Sequence, residues 1–130
     1  MSSVRPAVVA GHGDFADGMI SAVRQITGRG EELIGLTNRD LAARDIEAML
    51  RDAIAGDARV IFTDLPAGSW TLAARRVMRS RDDIVLVTGV NLATLLDFVM
   101  HAADSDASAA RHAVDKGRAS IAVMGAPSGD

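Results

Sequence analysis

Residues 7–18 read Ala-Val-Val-Ala-Gly-His-Gly-Asp-Phe-Ala-Asp-Gly, a short apolar run that enters a glycine-rich turn. The apolar run has the length of a buried strand. From Phe15 to Thr27, apolar residues recur at helical spacing, and Gly28 is a natural stop for that helix. A strand, a tight turn and a helix in this order predict the opening unit of a parallel α/β sheet.

The rest of the chain repeats this alternation. Further strands are expected at 32–36, 59–63 and 84–87, with a short fifth strand at 119–124. Helices are expected from a cap at Asp40 to Gly56, over 68–80, after a cap at Asn91, and over 106–116. We therefore predict an α/β, doubly wound, mostly parallel sheet, with about four parallel strands, a C-terminal edge strand and helices on both faces. Residues 1–130 are expected to form a single domain with a flexible tail from about residue 125.

Composition restricts the function classes. The 130-residue chain has a net charge of -3 and no cysteine. Disulfides, cysteine zinc sites and thiol catalysis are thereby excluded, and nucleic acid or an anionic membrane is not favoured as a partner. The first residues lack the apolar core of a signal peptide, and Asn91, Asp97 and His101 interrupt the apolar stretch at 84–103. The sequence therefore predicts a cytoplasmic protein without a membrane span.

Three polar loops should meet at one edge of the predicted sheet, because ligands of such folds bind beyond the carboxyl ends of the strands. These loops are residues 11–14, 64–69 and 88–91, and each combines a polar side chain with a glycine. We expect them to form the functional site, with Gly13 and Asn91 as supporting loop residues.

His12 is the candidate nucleophile, because a neutral imidazole has a free lone pair at neutral pH. Such a ring needs a partner for its other nitrogen, and Asp64 at the end of a neighbouring strand could supply it. The turn of Ala67, Gly68 and Ser69 opens a helix, whose first N–H groups suit phosphoryl oxygens.

A dinucleotide site is the alternative from another class, because Gly11-x-Gly13-x-x-Ala16 fits the fingerprint for such cofactors. That fingerprint also requires an acidic residue at the end of the second strand, and residues 35–39 contain none, although Asp40 is close. We therefore expect no cofactor, and we interpret the match as a consequence of the tight turn.

No metal site is expected either. His12 and Asp14 alone are too few ligands, and no other group has metal-ligand spacing along the sequence. His101 and His112 are interpreted as solvated side chains of helices.

Three blocks in order resemble the IIA component of the mannose/fructose/sorbose-type sugar phosphotransferase system, over about residues 5–124. The blocks are His-Gly-Asp-Phe-Ala-Asp-Gly at 12–18, Asp-Leu-Pro-Ala-Gly-Ser-Trp at 64–70 and Gly-Val-Asn-Leu-Ala at 89–93. Ala67, Trp70 and Ala93 depart from the Gly, Pro and Pro of the family pattern. These departures could alter the rim that meets partner proteins.

The resemblance implies a phosphocarrier. His12 would accept a phosphoryl group from the phosphohistidine of HPr and pass it to a IIB component, while Asp64 orients the ring and balances its charge. It also implies a homodimer, which in this family sometimes exchanges a C-terminal strand, here residues 119–124. The role would be in sugar uptake or regulation, and the absence of a following IIB domain favours regulation. The phosphotransfer subunit of dihydroxyacetone kinase is the alternative within the family neighbourhood, although the block at 89–93 favours the mannose-type branch.

Overall fold

The computed structural model describes residues 5–37 and 42–125. Its central sheet has four parallel strands in the order β2-β1-β3-β4. The elements are β1 (Ala7–Gly11), α1 (Phe15–Thr27), β2 (Leu33–Thr37), α2 (Ala43–Ala53), β3 (Val60–Thr63), α3 (Ser69–Met78), β4 (Val85–Val87), α4 (Leu92–Met100) and α5 (Asp106–Ser120). The predicted α/β class and the doubly wound parallel sheet are confirmed.

Two apolar cores, one on each face of the sheet, explain why the central strands are apolar throughout. Alternate residues of a strand face opposite sides, so Val9 of β1 packs with α1, α4 and α5, whereas Val8 packs with α2 and α3. Across the first core, Phe62 and Phe98 meet edge to face with their ring centroids 5.0 Å apart. Helices on both faces leave the loops at the strand ends exposed, and a ligand can bind there.

Helix boundaries follow local signals where the sequence supplies them. Gly28 ends α1 in the left-handed conformation, and its N–H donates to the carbonyl of Arg24. The predicted cap of α2, Asp40, lies outside the described residues, and the structure has Ala42 at the N-cap of that helix. Ser105 caps α5 through its side chain, which accepts from the N–H of Ser108.

The predicted edge strand at 119–124 does not form within the single chain. Helix α5 continues through Ser120, and residues 121–125 pair with no strand among the described residues. Residues 121–124 are a continuous apolar run that includes Ile121, Val123 and Met124, but a strand also requires a neighbour to satisfy its backbone. No such neighbour is present at this place, and the three side chains are exposed.

Candidate active site

The first loop places His12 directly after β1, at the carboxyl edge of the sheet. Gly13 has φ of +56°, a left-handed conformation that lets the chain turn from the strand into α1. The hydroxyl of Thr37, the last residue of β2, donates to the Gly13 carbonyl at 2.8 Å and ties this turn to the neighbouring strand. As a result the His12 side chain projects into solvent with 52% of its surface exposed.

Asp64 follows β3, the strand that lies beside β1, and it contacts His12 twice through one oxygen. Its Oδ2 is 2.8 Å from His12 Nδ1 and accepts the His12 backbone N–H at 2.9 Å. The two loops diverge here because α1 and α3, the helices that they lead into, pack on opposite faces of the sheet, and this is the switch point at which such folds bind ligands. The structure therefore brings together the two residues that the sequence selected, and it leaves Nε2 of His12 as the outward nitrogen.

The environment of Asp64 favours its charged form. Burial acts to raise the pKa of this carboxyl, since its side chain is 13% exposed. The hydrogen bonds from the backbone and the ring of His12, together with the charge of that ring, outweigh burial and lower the pKa below its ordinary value of 3.8. At neutral pH, Asp64 is therefore an anion beside the imidazole.

The second loop brings the start of α3 to the His12 ring. Gly68, the N-cap of α3, has φ of +131°, and a Cβ built on it would lie 3.5 Å from Cε1 of His12. Ala67 is exposed, Ser69 is the first residue of α3, and the N–H of Leu72 donates to the Gly68 carbonyl at 2.9 Å. Since the first N–H groups of a helix lack intrahelical acceptors, this position suits an anion next to the ring.

Two threonines that the sequence analysis did not select hold this loop. Thr63 at the end of β3 and Thr71 in α3 are buried, with their hydroxyl oxygens 2.7 Å apart. The Thr71 hydroxyl also lies 2.6 Å from the Leu65 carbonyl oxygen. In the sequence these residues are visible only as two threonines on either side of the loop. That they hold the loop follows from the contact between their hydroxyl groups, which the sequence does not show.

The third loop is held against the end of β3 and against α5. Val90 donates its N–H to the Thr63 carbonyl at 3.1 Å, so this loop lies beside the end of β3. Asn91 caps α4, as predicted, by accepting the N–H of Thr94, and its amide donates to the Gly117 carbonyl at 2.9 Å. The structure thus directs Asn91 toward α5.

The departure at Trp70 lies in the core and not on a partner-facing rim. Its side chain is fully buried in the apolar cluster of α2 and α3. The indole therefore fills space under the sheet, and any effect on partner binding must be indirect.

The glycines of the dinucleotide fingerprint have other uses in this fold. Gly11 is the last residue of β1, and a Cβ there would meet the ring of Phe15 and approach Oδ2 of Asp64 at 3.0 Å. Ala16 is buried at the start of α1. Close packing against Phe15 and Asp64 therefore accounts for Gly11, and the left-handed conformation of the turn accounts for Gly13.

One group of potential metal ligands forms within the described part of the chain. Asp97, His101 and His112 come together where α4 meets α5, so the expectation that both histidines are merely solvated is wrong for His112, whose ring is hydrogen-bonded to Asp97. Sequence spacing missed the group because His112 belongs to a different helix. Among residues 5–37 and 42–125, no helix is both long and apolar enough to cross a membrane.

Comparison with known protein families identifies one family model that covers most of the chain. The family model described as PTS system fructose IIA component matches residues 7–115. No curated protein is significantly similar to the chain in sequence.

Solved structures of sugar phosphotransferase proteins share the fold at low sequence identity. A phosphotransferase system component EIIA from Streptococcus agalactiae superposes with a TM-score of 0.84 at 19% identity, covering 92% of this chain and 97% of the other. A mannose/sorbose-specific IIA subunit from Enterococcus faecalis has a TM-score of 0.79 at 19% identity, with 96% and 98% covered. A IIA protein associated with the fucose utilization operon of Streptococcus pneumoniae has a TM-score of 0.74 at 21% identity, with 95% and 96% covered. Since the family model spans most of the chain and the fold agrees, the chain belongs to the mannose/fructose family of IIA components of the sugar phosphotransferase system.

Proposed function

We propose that this protein is a phosphocarrier that accepts a phosphoryl group on Nε2 of His12 and passes it on. The observation that carries the proposal is the contact between Asp64 Oδ2 and His12 Nδ1 at 2.8 Å. A carboxylate at Nδ1 keeps the proton on that nitrogen, so the lone pair is on Nε2. The half-exposed ring then presents a nucleophile of the correct tautomer to a visiting protein.

The transfer step follows from this geometry. The Nε2 lone pair attacks the phosphorus of a phosphohistidine on the donor, and the bond between phosphorus and the donor nitrogen breaks, with its electrons returning to the donor ring. The Nδ1 proton stays on His12, so the phosphorylated ring is cationic beside the Asp64 carboxylate. That charge makes the ring a good leaving group when the phosphoryl group moves to the next acceptor. Asp64 would therefore assist both the uptake of the phosphoryl group by His12 and its transfer to the acceptor.

The start of α3 would stabilise the transferring group. Phosphoryl transfer passes through a loose transition state whose negative charge spreads over the oxygens, so alignment and donors matter more than covalent help. Gly68, the N-cap of α3, lies beside the His12 ring, and it offers no side chain to obstruct a phosphate bound at the first N–H groups of this helix. Gly68, Ser69 and Ala67 would thus form the phosphoryl-binding turn.

Family membership supplies the proposed partners, which are HPr as donor and a IIB component as acceptor. The test is to incubate the full chain with phosphoenolpyruvate, enzyme I and HPr, and to locate the label by peptide mapping. We expect one acid-labile, alkali-stable phosphoryl group on the peptide containing His12, and phosphorus NMR should assign it to Nε2. A His12→Gln variant that folds normally and still takes up label would contradict the phosphocarrier function. Label that reaches His12 but does not move to a mannose-type IIB domain would contradict only the proposed acceptor.

A homodimer that exchanges the C-terminal segment is also part of the proposal. Ile121, Val123 and Met124 are 75%, 94% and 89% exposed, and β4 is an open edge of the sheet. A groove of about 560 Å³ runs along that edge between β4 and α5, and Val85 and Val114 are among its lining residues. Apolar residues of a second copy would fill the groove and pair with the free edge.

Light scattering on the full chain should give the mass of a dimer, and a chain ending at Ser120 should give a monomer. A monomeric full chain at micromolar concentration would contradict the exchange while leaving the phosphocarrier function intact.

A further inference from the structure

A cluster of side chains at the junction of α4 and α5 has no role in the phosphocarrier function. We propose that Asp97, His101 and His112 form a binding site for a divalent transition metal, with Zn²⁺ as its ion. One ligand atom from each of the three residues lies within 4.8 Å of the others. We infer from these three donors that an ion here would join the last turn of α4 to α5.

The helix geometry explains why these three residues meet. Asp97 and His101 are four positions apart, so they lie on one side of the last turn of α4, where the His101 N–H donates to the Asp97 carbonyl. Helix α5 approaches α4 closely because small residues face it, among them Gly117, which packs against Thr94. His112 of α5 then reaches Asp97, with Nδ1 2.7 Å from Oδ2.

The donor set selects the class of metal. Two imidazoles and one carboxylate suit Zn²⁺ and its neighbours, whereas Mg²⁺ and Ca²⁺ prefer oxygen ligands alone. Zn²⁺ bound by three protein ligands keeps a fourth position for water. Asp97 and His112 are suitably placed, since their side chains are 14% and 38% exposed and an ion can enter from the solvent side.

Binding requires local rearrangement: the two rings must tilt, and an ion bound by Nδ1 of His112 must displace the proton between this nitrogen and Asp97. The His101 and His112 rings are stacked with centroids 3.6 Å apart and planes 1° from parallel. An imidazole lone pair lies in the plane of its ring, so two parallel rings must tilt toward each other to share one ion. His101 can tilt because it is exposed and ends its helix.

The site is separate from the phosphocarrier site. Helix α4 begins at the carboxyl edge of the sheet and runs antiparallel to the strands, so its last turn lies at the amino edge. Arg5, just before β1, confirms this placement by bonding to the Ala103 carbonyl and, at 3.0 Å, to Asp106. His12 lies after the other end of β1, so the two sites can be tested independently.

The experiment uses the untagged full chain, freed of metal with a chelator and titrated with ZnCl₂ in a calorimeter. We expect one Zn²⁺ per chain, a rise in Tm that grows with Zn²⁺ concentration, and no comparable response to Mg²⁺. His101→Ala removes an exposed side chain, and Asp97→Asn keeps the size of the residue. Each should weaken binding by at least the roughly 10–100-fold that loss of a second-shell partner costs.

His12→Gln is the matched control, because it removes the other histidine with a neighbouring carboxylate and should leave Zn²⁺ affinity unchanged. X-ray absorption of the zinc complex should show two imidazole ligands at about 2.0–2.1 Å. The proposal is overturned if the parent chain does not bind Zn²⁺, if both site variants bind as tightly as the parent, or if His12→Gln abolishes binding.

Discussion

Replacing Asp64 by Asn tests whether charge, rather than shape, makes His12 a carrier. The amide is the same size as the carboxylate and can still place one oxygen near His12 Nδ1 and the His12 backbone N–H, which Oδ2 accepts at 2.8 and 2.9 Å. The variant therefore keeps much of the ring orientation and loses the negative charge. If the ring becomes cationic during transfer, the variant must slow transfer even though it folds.

The distance between the groups sets the size of the effect. Two unit charges about 4 Å apart attract by about 4 kcal/mol at the effective dielectric constant of about 20 that applies near a protein surface. The His12 ring is 52% exposed, so solvent screens part of this attraction, and the remaining hydrogen bond offsets more. A loss of about 2–3 kcal/mol in the transition state corresponds to transfer that is roughly 30–150-fold slower.

Rapid-quench measurement of phosphoryl transfer from phosphorylated HPr gives this rate directly. Asp57→Asn is the matched control, since Asp57 is an exposed carboxylate just before β3, at the opposite edge of the sheet, and its loss should leave the rate unchanged. Thermal unfolding checks that both variants are folded. If folded Asp64→Asn transfers within threefold of the parent rate, Asp64 does not balance the charge of the ring.

Three further predictions concern stability. Gly117→Ala should lower the free energy of unfolding by about 1–3 kcal/mol, because a Cβ at this position would clash with α4. Gly18→Ala, on the open side of α1, is the control and should raise the free energy of unfolding by about 0.5–1 kcal/mol. Equal effects of the two substitutions in urea titrations would refute the close packing of α4 and α5. Phe98→Ala should cost about 3–5 kcal/mol, since it leaves a cavity beside Phe62, and a loss below 1 kcal/mol would contradict that packing. The lowered pKa of Asp64 stabilises the folded state above pH 3.8, and this contribution is lost as the pH falls through the folded-state pKa. The difference in free energy of unfolding between the parent and Asp64→Asn should therefore shrink below about pH 4. A difference that is constant with pH would show that the ionisation of Asp64 does not contribute to stability.

Local patterns in the sequence were enough to predict most of the fold. The four strands and five helices follow from apolar runs and helical spacing, and Gly28 and Asn91 mark boundaries because their conformation and hydrogen bonds are local. The failure at residues 119–124 has a physical cause. A short apolar run shows that a segment is suited to a strand, but pairing depends on an edge that another part of the chain, or another copy, must supply.

His12 and Asp64 could be selected from the sequence because the carboxyl ends of parallel strands lie at the same edge of the sheet. Their contact, the choice of Nε2 as the outward nitrogen and the direction of the Asp64 pKa depended on the strand order that sets β1 beside β3. The cluster of Asp97, His101 and His112 was invisible in the sequence, because its members are close only when α5 packs on α4. The sequence by itself therefore determined which segments are strands and helices, since those depend on neighbours along the chain. The tertiary structure alone decided which distant side chains form a hydrogen bond, as His12 and Asp64 do, and which lie close enough to bind one ion, as Asp97, His101 and His112 do.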